Sequence, residues 1–132
     1  MKVKEFRLAR LEFDERTEIL YYHLKDDQEI GVDEMQEMVD YVSDFIGNRK
    51  HKALINFSDN VMGTPEARKL YATNAFIKEF RVADAFLVRS VSVRIITNFF
   101  IKVIKPQVKT KLFSDREEAI QWLEKIPVLE NA

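Results

Sequence analysis

The strongest constraint on this chain is an alternation of two patterns: short, nearly continuous apolar runs separated by longer segments whose apolar residues recur at helical spacing. Ala53-Leu54-Ile55-Asn56-Phe57 and Val82 to Val88 are too short for ordinary helices and too uniformly apolar for strands with one wet face, so each reads as a central strand covered on both sides. Met35, Met38, Val39, Val42, Phe45 and Ile46 mark a helix from an Asp33 N-cap to Gly47. Ala67, Leu70, Tyr71 and Ile77 mark a second, opened by Thr64-Pro65 and ending near Lys78. Buried strands linked by helices require crossovers, and crossovers imply parallel pairing.

The rest of the chain extends this frame. Phe6, Leu8, Leu11 and Phe13 form an extended segment whose apolar phase slips near Ala9-Arg10, which predicts a bulge or bend. Asp14-Glu15-Arg16-Thr17 is a polar turn into a second strand, Glu18 to Leu24, giving an antiparallel hairpin. After the connector Arg89-Ser90-Val91-Ser92, Val93 to Lys105 reads as a third helix stopped by Pro106. Lys109 to Phe113 is a fifth strand, and Ser114-Asp115-Arg116-Glu117 is a capping box opening a last helix with Ala119, Trp122, Leu123 and Ile126 on its inner face. The expectation is a single α/β domain over residues 1–132: one mixed, mainly parallel five-stranded sheet with an N-terminal antiparallel hairpin and four helices, in the order ββαβαβαβα.

Composition narrows the chemistry. The absence of cysteine removes thiol catalysis, disulfides and sulfur-ligated metals, and points to a reducing compartment. The start of the chain lacks the apolar core of a secretory signal, and no run approaches a membrane span, so the expected location is cytoplasmic, without stable membrane insertion. His23 and His51 have no ligand spacing; His51 sits in a basic Arg49-Lys50-His51-Lys52 turn. Gly31, Gly47 and Gly63 are too far apart for a phosphate loop, and Asp26-Asp27 and Glu117-Glu118 fall where loops and first helical turns attract acids. No catalytic, cofactor or metal residues are therefore assigned, and no enzyme activity is expected.

Charge is unevenly spread behind a net of −1. Glu12 to Asp44 holds twelve acids and two bases, whereas Ala85 to Ser114 holds six bases and no acid, so the second segment suits an anionic partner. The acidic first half argues against nucleic acid as that partner. Within the basic segment, Val91, Ile95, Ile96, Phe99, Phe100, Val103 and Ile104 spread over more than half the helix circumference, leaving Arg94, Asn98, Lys102 and Lys105 a narrow polar face. A helix lying on one sheet needs a narrower apolar arc. Neighbouring helices and the chain ends could cover the remainder as plain core; otherwise it has three uses: a homodimer or partner interface with Phe99 or Phe100 as anchor, the wall of an apolar ligand pocket, or weak contact with a membrane surface.

Several stretches carry a family resemblance. Ala85-Phe86-Leu87-Val88, the Ser-Val-Ser connector, Asn98-Phe99-Phe100-Ile101-Lys102, Lys105-Pro106 and Lys111-Leu112-Phe113-Ser114-Asp115, in this element order, resemble the STAS fold of bacterial anti-sigma-factor antagonists and the STAS-like, CRAL-TRIO-related small bacterial proteins. The resemblance implies a non-enzymatic binding or regulatory module acting through protein association, itself included, with a dimer favoured. The alternative it implies is a carrier or sensor of an apolar, lipid-like ligand, with Lys102 or Lys105 meeting an anionic headgroup. It also implies a phosphorylatable hydroxyl at the start of the second helix. Thr64 lies closest to that position and Ser58 ends the matching strand, but Gly63 stands where the family has Asp and Pro65 follows directly, so Thr64 is expected to serve as a plain helix cap.

Overall fold

The computed structural model describes residues 1–57 and 61–128. It opens with β1 (Lys2–Glu5), β2 (Ala9–Asp14) and β3 (Ile19–Leu24), paired antiparallel in sequence. The phase slip near Ala9 marks a chain reversal rather than a bulge. The Phe6 N–H donates to the Ala9 carbonyl at 3.0 Å, and Lys2–Glu5 folds back along β2 as an additional edge strand. The main sheet consequently has six strands rather than five.

After β3 come β4 (Gln28–Ile30), α1 (Val32–Ile46), β5 (His51–Asn56), β6 (Val61–Gly63), α2 (Pro65–Thr73), α3 (Ala75–Phe80) and β7 (Arg81–Leu87). Then α4 (Val91–Phe99) runs into a π-helical turn, Phe100–Ile104, followed by β8 (Lys109–Phe113) and α5 (Arg116–Glu124). The sheet order is β1-β2-β3-β5-β7-β8, parallel from β3 onward, while β4 and β6 form a small parallel ribbon of their own. The expected fold class holds: a mixed, mainly parallel sheet with an antiparallel N-terminal hairpin.

Each parallel strand is added on the same side of the one before it, so the crossover helices land on one face. There Leu11, Phe13, Leu20, Tyr22, Ala53, Ile55 and Phe86 of the sheet join Met38, Val42, Val93 and Phe100 of the helices in the larger core. The opposite face carries Ile19, Tyr21, Leu54, Ala85, Leu87 and Phe113 beneath α5, which contributes Ala119 and Leu123.

Local chemistry explains the helix boundaries. Thr64 caps α2 as expected, accepting the Ala67 N–H at 3.1 Å, with Pro65 next in line. The second helix breaks at Asn74, whose side chain accepts the Ile77 N–H and starts α3, so the described residues hold five α-helices rather than four. The N-cap of α1 is Gly31 rather than Asp33, with the Glu34 carboxylate taking the Gly31 N–H at 3.2 Å. Asp115 rather than Ser114 caps α5. Gly47 ends α1 at φ 73°, the left-handed region expected of it.

One segment behaves unlike its composition. Arg49-Lys50-His51-Lys52 is not wholly a turn: β5 begins at His51, and both His51 and Lys52 are buried. The Lys52 ammonium donates to the carbonyls of Leu123 and Ile126 at 2.9 and 3.1 Å, placing a cation on the last carbonyls of α5.

Candidate functional site

Beneath the helices lies a charged network centred on the Arg81 and Asp84 side chains, which have no surface exposure. Arg81, opposite His51 in the β5–β7 register, donates from Nε to His51 Nε2 at 2.9 Å. One terminal nitrogen donates to Tyr71 Oη at 2.7 Å and Asp84 Oδ1 at 2.6 Å, and the other to the Tyr22 hydroxyl. Tyr71 in turn donates to Asp84 Oδ2 at 2.5 Å, and His51 Nδ1–H donates to the Arg49 carbonyl at 2.9 Å. Burial, with the Arg81 charge beside it, pushes the His51 pKa down to about 3, so the ring stays neutral and Nε2 stays an acceptor. Burial likewise raises both tyrosines above the ordinary tyrosine value. Arg81 and Asp84 are thus an ion pair among neutral, hydrogen-bonded groups, the condition under which a desolvated pair is tolerated. The network joins β3, β5, β7 and α2, and its hydroxyls and ring nitrogens are turned inward onto one another.

Above this network, at the C-terminal ends of β3, β5 and β7, is a cavity of about 80 Å³. In open α/β sheets this is the end where ligands are generally bound. Its floor is Tyr22, Ile55 and Phe86, and its walls come from α1 (Met35, Met38), the β4–β6 ribbon (Ile30, Met62) and α4 with the π turn (Ile96, Phe100). The polar residues on its lining are committed elsewhere: Tyr22 and Tyr71 to the Arg81 network, and Thr97 to the carbonyls of Val93 and Arg94. Arg68 is the charged lining residue, held by a 2.6 Å hydrogen bond to the Gly63 carbonyl, and among the described residues no carboxylate lies within ion-pair distance of it.

The broad apolar arc of α4 splits into two faces. Val93, Thr97 and Phe100 are buried, whereas Val91, Ile95, Phe99, Val103 and Ile104 are 43–73% exposed. Of eight large apolar side chains exposed among the described residues, these five form one stripe about 18 Å long at 1.5 Å per residue. The π turn shapes its end. Phe100 continues the buried α-helical row of Val93 and Thr97 into the cavity; closing Lys105 N–H onto the Phe100 carbonyl at 3.1 Å then widens the helix by one residue, so Ile104, which an α turn would set above Phe100, faces out beside Val103.

The candidate surface residues therefore separate. Phe99, Lys102 and Lys105 lie on the outer face; Phe100 does not, being 4% exposed. Arg94 is partly buried and donates to the Val88 carbonyl at 3.0 Å, and Asn98 is partly buried. Thr64 is a working cap, and Ser58 lies outside the described residues. The cavity and the Arg81 network were not legible as sites; the one available signal for the cavity was the position of Met35, Met38 and Met62, soft side chains near the ends of elements. Among the described residues, no group of three or more His, Asp or Glu is placed to hold a metal, and no helix is long and apolar enough to cross a membrane.

A one-way mixed sheet with its crossover helices on one face defines the SpoIIAA-like, STAS-like fold. It is shared with the crystal structure, at 2.25 Å, of an uncharacterised DUF3478-family protein from Shewanella loihica PV-4, with a TM-score of 0.60 and 13% identity over 87% of this chain and 91% of that one. The chain itself belongs to the family described as Domain of unknown function (DUF7793), which matches residues 13–127. No curated protein matches its sequence.

Proposed function

We propose that this chain is a non-enzymatic binding module that associates with copies of itself by seating the outer face of α4 against the acidic face of α1 on the next copy. The observation that carries this reading is the stripe Val91, Ile95, Phe99, Val103 and Ile104. Burying a Val, Ile or Phe side chain contributes about 1.5–3 kcal/mol, so a stripe left largely in water retains several kcal/mol for association.

Charge selects the surface that fits. From Val91 to Ile104 there are two cations and no acid, with Lys105 next, so an α4-to-α4 dimer would bring like charges together. Helix α1 is the complement: five carboxylates, no cation, and a shallow groove lined by Asp33, Glu37, Asp40, Tyr41 and Asp44. Glu37 is held by Arg7 at 2.6 Å, but Asp33, Asp40 and Asp44 have no cationic partner among the described residues. Unlike faces do not close on themselves, so association continues past the dimer as concentration rises.

Sedimentation over a range of concentration and salt tests this. The weight-average mass should rise with concentration and fall as salt is added, and Phe99→Asp should give a folded single chain. Paired variants sharpen the reading: Lys102→Glu/Lys105→Glu and Asp40→Lys/Asp44→Lys should each weaken association, and mixing the two proteins should restore it. Single-chain mass at every concentration, or association untouched by Phe99→Asp, would sink the proposal.

A further inference from the structure

Independently of self-association, we propose that the cavity above the Arg81 network is a binding site for an aliphatic carboxylate, with the apolar tail between the methionines and the carboxylate on Arg68. The lining decides what can enter. A buried water needs two to four hydrogen-bonding partners, yet Tyr22, Tyr71 and Thr97 have theirs elsewhere, so the space suits carbon better than water. Its volume of about 80 Å³ is several times the ~10–15 Å³ that one water requires, room for the end of a chain. All three internal methionines of the protein line it, and their unbranched, polarizable side chains let the walls adjust to tails of different shape.

Arg68 supplies the polar end. Its bond to the Gly63 carbonyl holds the guanidinium beside the lining, and it has further N–H donors for a two-pronged contact with a carboxylate. Lys102 and Lys105, the cations expected from the sequence to meet such a headgroup, do not line the cavity; Arg68 takes that role.

The test uses the full chain labelled with ¹³C at the methionine methyls and titrated with hexanoate, watched by NMR. Met35, Met38 and Met62 should shift together while Met1, which is exposed, stays still. Arg68→Gln should weaken hexanoate about tenfold and leave 1-hexanol unchanged. Gly63→Leu should abolish binding of both by occupying the lining; a Cβ there meets ordinary contacts, 3.5 Å to Arg68 Cγ and 3.8 Å to Ala67 Cβ, so the variant should fold. Repeating the titration with dodecanoate separates the sources. Tighter binding of the longer chain would support a lipid-derived acid, and equal binding a small metabolic acid. Methionine shifts absent at 10 mM hexanoate, or binding equally strong in the Gly63→Leu protein, would overturn the site, and a hexanoate affinity indifferent to Arg68→Gln would overturn the carboxylate. Running the titration on Phe99→Asp keeps this result separate from that of association.

Discussion

Arg81 and Phe99 occupy places that a simple partition would exchange. The guanidinium of Arg81 is buried among Tyr22, His51, Tyr71 and Asp84, whereas the phenyl ring of Phe99 stands 55% exposed on α4. The buried charge is saturated with partners supplied by the same chain. The exposed ring is more than half open to solvent, and its neighbours Ile95 and Val103 are as bare as it is. The difference separates two uses of an unfavourable placement: one is compensated within the fold and specifies how β3, β5, β7 and α2 meet, and the other awaits compensation from outside.

Breaking the buried half should have the largest effect. Arg81→Met strands the Asp84 carboxylate in the core and should lower unfolding free energy by about 3–5 kcal/mol in denaturant titrations. If the loss is below about 1 kcal/mol, the network does not hold the core together. Next is the inward neighbour of Phe99: Phe100→Ala enlarges the cavity and should cost about 3 kcal/mol or more, read in the same way.

Per pH unit, a smaller effect comes from His51. Its folded pKa, near 3, lies below the unfolded value near 6.5, so the unfolded chain binds more protons between them. The stability is present above about pH 6.5 and is lost as pH falls toward 3, at up to about 1.4 kcal/mol per pH unit. In His51→Gln, which can still donate and accept, stability measured from pH 7 to 4 should show a correspondingly flatter slope. An unchanged slope would mean His51 titrates normally. The smallest effect belongs to Phe99→Ser, which should change single-chain stability by no more than about 0.5 kcal/mol because the ring is more than half exposed. A larger loss would show that the exposed stripe already has an internal partner.

Much of this architecture was visible in the order of residues. Period and punctuation located all five of the anticipated strands, the Thr64-Pro65 helix start and the Gly47 stop, because those signals are local. What escaped depends on long-range partners. Lys2–Glu5 reads as a tail until β2 lies beside it, and the partners of Arg81 and Asp84 do not show until Tyr22, His51 and Tyr71 converge from three other elements. Asn74 could be seen as a cap only if the helix was known to bend there. For the outer surface, periodicity showed that α4 is more apolar than one sheet requires, but not which residues face out. How α4 rolls onto the sheet sets Phe100 inward and Phe99 outward, and the π turn then brings Ile104 out as well.

The one-way order of the sheet bears on how the chain can be made. Each crossover strand pairs with a strand already synthesised, so the sheet can grow outward from β3 as the polypeptide emerges, one helical crossover at a time. The face bearing Ile19, Tyr21, Leu54, Ala85 and Leu87 is the exception, because its cover, α5, arrives last and is then clasped by Lys52. A nascent chain halted at Phe113 would display that face to its surroundings, so the interval before α5 docks is when this protein is most exposed to aggregation and most in need of a chaperone.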